Sequence, residues 1–280
     1  MEPESISNQF IKITEQNSIH ENLDKKSIHD LLLEMNEEDR KVPEAVAQAI
    51  PQVEMLVENI VKRMKRGGRI FYLGAGTSGR LGVLDASEIP PTFGMPAHAV
   101  VGLIAGGELA LRKAVEHAED NSDRGWEELI ERNVTKFDTI IGIAASGTTP
   151  YVVGTLRKAR ENGILTASIS CNPNSPIAEE AEIKIDVVVG PEFITGSTRL
   201  KSGTAQKLVL NMITTTVMIK LGRINGNKMV NMQLNNLKLM DRGIRIIMEE
   251  LGIVHEQATN ILLIHGSVKK AIDAYKKERM

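Results

Sequence analysis

Aromatic residues are scarce in this chain, at 3%, so its core must be built from isoleucine, leucine, valine, alanine and methionine. Cysteine is scarcer still. Cys171 stands alone, which excludes an intramolecular disulfide and fits a reducing compartment. Beside Ser170, at the end of an apolar run, it reads as a small half-buried residue and not as a nucleophile. Neither sign of charge dominates: 34 Lys and Arg face 36 Asp and Glu, for a net charge of -2. The basic residues are dispersed, the densest run (62–69) reading as a solvated helix end, so nothing suggests a nucleic-acid partner, which clustered cations would recruit. No apolar run approaches the roughly 20 residues a membrane helix needs. The polar start, with Glu2, Glu4, Lys12 and Glu15, has no signal-peptide pattern. The expectation is a soluble, cytoplasmic protein with no membrane partner.

Ordinary core material is present in quantity: 42% of the 280 residues are hydrophobic and 25% are charged. That suffices for one large α/β domain with an appendage. After a polar start there is a helical stretch near 26–35. A second helix is expected from Pro43, with apolar positions from Val46 to Ile60 at helical spacing despite Pro51, ending at Gly67-Gly68. Strands are expected at 69–73, 97–104, 139–145, 165–169 and 183–189, and helices at 109–119, 152–162 and 203–220. Such alternation predicts a mainly parallel sheet covered on both faces, with ligands bound in loops at the carboxyl ends of its strands. From about Asn225 the pattern is purely helical. The expected division is an N-terminal helical segment (1–50), an α/β domain (51–225) and a C-terminal helical region (226–280).

Residues 74–79 spell G-x-G-x-x-G directly after a strand and before a helix, the dinucleotide fingerprint in its usual context. That fingerprint also needs an acidic group at the tip of the second strand. Here the second strand ends Ile104, Ala105, Gly106, with no carboxylate. A phosphate fits the loop better. Glycines let backbone N–H groups approach an anion, and the start of the following helix adds positive dipole. Thr77 and Ser78, between Gly76 and Gly79, add hydroxyls. A second loop, Ser146, Gly147, Thr148 and Thr149, follows another strand end, and two such loops can grip one compact phosphate. The competing explanation is that these hydroxyls merely cap helices.

The paired loops resemble the sugar isomerase (SIS) domain, an α/β doubly wound fold that binds phosphosugars. Within that group, the run LGAGTSGRLGVLDASEIPPTFG over 73–94 is similar to the signature of N-acetylmuramic acid 6-phosphate etherases. The segments 36–39 (NEED), 103–107 (LIAGG), 114–120 (AVEHAED), 142–147 (GIAASG) and 197–211 (STRLKSGTAQKLVLN) agree with it. The resemblance covers about residues 14 to 271. It departs at Ile89 and His117, where Cys or a similar residue and Gly are expected, and the resemblance leads one to expect a shortened terminal helical subdomain.

The resemblance implies cleavage of the lactyl ether at C3 of N-acetylmuramic acid 6-phosphate, giving N-acetylglucosamine 6-phosphate and D-lactate, with no redox cofactor and no metal. Ring opening makes C1 an aldehyde and acidifies the C2 proton. A base can then remove that proton while an acid protonates the ether oxygen, and water adds to C3 of the unsaturated product. Carried over from the family motif, Glu88 is the acid at the ether oxygen and Glu119 the base at C2. On the residues alone, Pro90-Pro91 is expected to end the helix and leave Glu88 near a loop. Glu119 is expected on the edge of the helical stripe Leu111, Ala114, Val115, Ala118, facing a partly desolvated cleft. Glu116 and Asp120 serve as solvated controls. Arg80 is a candidate for binding phosphate or the lactyl carboxylate. Glu192, Ser197 and Lys201 lie where related isomerases hold substrate, with Glu192 a candidate for ring opening, while Lys207 reads as structural and Asp85 as orienting its own helix. The six histidines show no metal spacing. A homodimer with sites near its interface is expected. Three rivals stand beside this reading: an aldose–ketose isomerase on the same fold, a non-catalytic phosphosugar sensor, and an NAD-dependent oxidoreductase.

Overall fold

The computed structural model describes residues 10–278. Helix α1 (Ile28–Gln48) starts at Ser27, whose hydroxyl accepts the Asp30 N–H at 3.1 Å, and runs through Pro43. It stops at Ala49 because Pro51, in the first turn of α2 (Ile50–Met64), has no N–H to continue the ladder. The sheet elements follow: β1 (Ile70–Gly74), α3 (Gly76–Phe93), β2 (Val100–Ile104), α4 (Gly107–Ala110), α5 (Arg124–Glu131), β3 (Thr139–Ile143), α6 (Pro150–Glu161), β4 (Leu165–Ser170), α7 (Pro176–Glu179) and β5 (Ile183–Asp186). The long α8 (Lys201–Lys220) comes next, and α9 (Leu237–Leu251), α10 (His255–His265) and α11 (Val268–Glu278) finish the described chain. None of these helices is long and apolar enough to cross a membrane.

All five strands are parallel, in the order β2-β1-β3-β4-β5. Side chains alternate across them. Ile70 and Tyr72 of β1 join a core with α1, α2, α3 and α8 on one face, while Phe71 and Leu73 join a core with α5, α6 and α7 on the other. A third apolar cluster, separate from both, holds α9, α10 and α11 together through residues such as Leu239, Ile247, Leu262 and Ala271. Cys171 is fully buried after β4, and burial first, then the nearby Glu192 and Asp186 charges, push its thiol up to about 12.

Three expectations fail. The second helix does not start at Pro43, which lies inside α1; the break falls instead at Ala49, before Pro51. The helix after the glycine loop does not end at Pro90-Pro91 but continues through both to Phe93. A proline removes its own N–H but leaves its carbonyl in place, and the carbonyls of this last turn find donors. Pro90 O accepts from Gly94 N, Pro91 O from Gln233 N, and Phe93 O and Gly94 O from the Arg223 guanidinium. The helix expected at 109–119 is only the short α4, followed by turns and a 3-10 turn at Ala118–Asp120. Arg80 Nε donates to Leu111 O at 3.2 Å, taking an acceptor that a continuing helix needs. Val115 meanwhile folds back onto Gly106, where an added Cβ would lie 2.9 Å from its own.

Candidate functional site

The strand order reverses between β1 and β3, with α3 on one face of the sheet and α5 and α6 on the other. In open α/β sheets a crevice forms at such a switch point, outside the carboxyl ends of the strands. Gly74 pairs with Ile143 in register, so the turns that follow β1 and β3 are neighbours across that crevice. Each contains a glycine in the left-handed region, Gly76 at φ 51° and Gly147 at φ 73°.

The hydroxyls on these turns are not spent on capping. Neither Ala75, the N-cap of α3, nor Thr149, the N-cap of α6, makes a side-chain cap hydrogen bond. Thr77, Ser146, Thr148 and Thr149 are all half-buried. Thr148 Oγ1 donates to Ser146 Oγ at 3.1 Å, so the second turn presents linked hydroxyls. Ser78 is buried and points away from solvent, donating to Gln206 Oε1 of α8 at 2.9 Å. Gly79 is packed too tightly for a side chain, an added Cβ meeting Gly74 O at 2.6 Å.

Glu119 stands on the other side of β1. It lines a cleft of about 220 Å³ together with Ala75, Gly76, Arg80, Ala105 and Lys113. It is exposed at the lip of that cleft, without the desolvation expected of a helix stripe. His117, two residues before it, adopts φ 59°, a left-handed conformation that explains why glycine is the expected residue there. Glu88 is elsewhere. It is exposed on α3, more than three turns beyond Gly76 and thus about 18 Å along the helix axis. It does not line the cleft. The cleft therefore joins the glycine turn, Arg80 and Glu119, the hydroxyl turn lies beside it across β1 and β3, and Glu88 stands apart.

The remaining candidates support the start of α8. Buried Glu192 accepts the backbone N–H groups of Lys201 and Ser202, each at 2.9 Å, and the Ser202 hydroxyl at 2.7 Å. Both carboxylate oxygens are thus engaged as a helix cap. Lys201 is buried and its Nζ is ion-paired with Glu38 of α1. Ser197 lies half-buried in the turn just before. Held this way, α8 packs its Gly203 against the Thr77 methyl and offers Gln206 to Ser78. Asp85 does more than orient its own helix: it accepts from Tyr72 of β1 and from Asn211 and Thr214 of α8. Burial pushes its carboxyl up, against the lowering effect of those bonds. Reading the sequence assigned no role to Gln206 or Glu38 in this scaffold, although both fall in segments that agree with the family, 197–211 and 36–39.

Comparison with known proteins is consistent along the chain. The model of the glucokinase regulatory protein N-terminal SIS domain matches residues 52–160, and that of the SIS domain matches 117–216. Among solved structures, a phosphoheptose isomerase from Francisella tularensis superposes with a TM-score of 0.53 at 14% identity, over 67% of this chain and 98% of its own. A protein from E. coli CFT073 gives 0.51 at 17% identity, over 72% and 97%. At that identity both speak for the fold alone. Sequence relatives reach much further. An N-acetylmuramic acid 6-phosphate etherase from Bacteroides fragilis is 67% identical over 95% of both chains. Those from Bacteroides thetaiotaomicron (65%, over 96% of this chain and 97% of that one) and Porphyromonas gingivalis (61%, over 96% and 98%) agree. With the SIS fold and relatives at this identity along nearly the whole chain, the chain belongs to the N-acetylmuramic acid 6-phosphate etherases, which are carbon–oxygen lyases.

Proposed function

We propose that the chain works in the cytoplasm as a homodimer, cleaving the lactyl ether of N-acetylmuramic acid 6-phosphate by elimination and rehydration. The observation that carries this reading is the order of groups along the carboxyl edge. The hydroxyl turn follows β3, the glycine turn follows β1, and Glu119 lies on the segment after β2. Two strand spacings, about 10 Å, separate the ends of that row. A hexose 6-phosphate laid across it puts its phosphate at Ser146, Thr148 and Thr149 and its C2–C3 bond near Glu119.

Once the ring is open, the Glu119 carboxylate takes the C2 proton. Glu88, in its acid form, gives its proton to the ether oxygen, and D-lactate leaves as the C3–O bond breaks. The product is an α,β-unsaturated aldehyde. The Glu88 carboxylate, now a base, takes a proton from water as the oxygen adds to C3. Glu119 returns its proton to C2, and the ring closes to N-acetylglucosamine 6-phosphate. Water is the only other reactant, so atoms balance without an oxidant. Because Glu88 lies apart from the cleft in its own subunit, the acid at each site comes from the second subunit.

Turnover in ¹⁸O-labelled water tests the chemistry. Label at C3 of the sugar, with unlabelled D-lactate, is the expected result. Label in the lactate instead indicates displacement at the lactyl carbon and overturns the elimination.

A further inference from the structure

Asn172, just past β4, is fully buried, and both ends of its carboxamide are in use. Nδ2 donates to Ser146 O at 2.9 Å and to Thr14 Oγ1 at 3.0 Å, and Oδ1 accepts Thr14 N at 3.1 Å. Its backbone is held as firmly, the N–H donating to Ser170 Oγ at 2.9 Å while that hydroxyl donates to Asn172 O at 2.7 Å. Ser175 donates to Ser170 Oγ as well, and its Cβ fills the space beside Gly147, 2.2 Å from where an added Cβ would sit. Ile177 N donates to Gly147 O at 3.0 Å. The Ser146-Gly147 turn is therefore gripped from behind by the turn after β4.

Thr14 completes the grip from far away in sequence. It is fully buried within the 3-10 turn Ile13–Glu15, between exposed or half-buried neighbours. The segment then crosses to the loop before α8, where Ser18 Oγ donates to Phe193 O at 2.8 Å and Ser18 N to Thr195 Oγ1 at 2.9 Å. Residues 13–18 thus form a strap over the carboxyl edge. A buried carboxamide missing one partner is costly, so the cluster is satisfied as a whole or not at all.

We propose that Asn172 and Thr14 are positioning residues for phosphate binding, through which the N-terminal strap fixes the Ser146 carbonyl and so aims the Ser146 and Thr148 hydroxyls. This rests on the phosphate lying at the turn after β3. Neither residue touches the phosphate; both act through Ser146. The strap is thereby part of the binding apparatus, and ligand affinity depends on its being seated.

Calorimetric titration with inorganic phosphate and with N-acetylglucosamine 6-phosphate, on folded protein, tests the proposal alongside kcat and KM. Asn172→Asp keeps the shape but replaces the donor with an acceptor, and should weaken both ligands and raise KM by about tenfold, the equivalent of one net hydrogen bond, with kcat little changed. Thr14→Val, which removes one partner and retains the fold should the first variant fail to fold, shifts affinity the same way by less. Loss of stability alone leaves the affinity of the folded fraction unmoved. Ser146→Ala combined with Thr148→Ala is the reference. If that pair weakens binding while Asn172→Asp or Thr14→Val binds normally, the positioning role is overturned and the phosphate site stands. If the pair itself binds phosphate normally, the phosphate assignment falls and takes the positioning role with it.

Discussion

Lys201 meets Glu38 in an ion pair from which water is nearly excluded, Lys201 being 2% and Glu38 4% exposed, and it ties the first turn of α8 to the middle of α1. Burial alone would push the Glu38 carboxyl up. Hydrogen bonds from Lys201, Lys41 and His20 outweigh that and hold it down at about 2, against an ordinary 4.5. A carboxyl held low in the folded state stabilises the fold above its unfolded value and loses that contribution as pH falls through the folded one. Stability in denaturant melts should therefore drop as pH is lowered from 4.5 toward 2, and Glu38→Gln should flatten that part of the profile. At neutral pH, Glu38→Ala leaves Lys201 buried without a counter-charge and should cost about 3–5 kcal/mol, most of it recovered when Lys201→Met is added.

Glu88→Gln and Glu119→Gln should each lower kcat by about 10²–10⁴-fold, the usual weight of a positioned proton transfer. Mixing the two inactive proteins after reversible dissociation separates a shared site from a self-contained one. If each site draws Glu88 from one subunit and Glu119 from the other, every mixed dimer regains one intact site, and a statistical mixture recovers about a quarter of wild-type activity. No recovery, with mixed dimers shown by mass spectrometry, refutes the shared site.

His117 bears a side chain in a left-handed conformation, φ 59°, beside the catalytic candidate Glu119. Relief of that backbone strain should make His117→Gly more stable by about 1 kcal/mol. Thermal melts at fixed pH measure it.

Gly147→Ala and Gly163→Ala form a matched pair. Both glycines have positive φ, 73° and 69°. An added Cβ at Gly163 meets nothing within 4 Å, so strain alone applies, about 1–2 kcal/mol. At Gly147 it collides with Ser175, which must move and carry the hydroxyl turn with it. Only the Gly147 variant should lose phosphosugar affinity, as read by product-inhibition constants.

The strands are legible in the sequence because a parallel strand buried on both faces is one short apolar run, and 69–73 translates directly into Ile70–Gly74. The two hydroxyl turns are legible because glycine and hydroxyl residues cluster at strand ends. Legibility fails wherever a distant group overrides a local rule. Pro90-Pro91 reads as a stop, yet Arg223 and Gln233 supply the donors that let α3 continue. Residues 109–119 read as a helix, yet Arg80 draws off a carbonyl and Val115 packs on Gly106. The motif names both Glu88 and Glu119, but no pattern in one chain shows that they lie at separate places on its surface. Thr14 and Asn172, hydrogen-bonded across 158 positions, leave no periodic trace at all.

Cys171, sealed between β4 and α8 with its thiol near 12, leaves the surface without a competing reactive sulfur. A new cysteine placed at any exposed position becomes the sole attachment point for a maleimide dye or a nitroxide. Residue by residue, distances between labels can then be measured in solution without first stripping the protein of its native thiol, and a distance between equivalent labels of two molecules would report the proposed pairing.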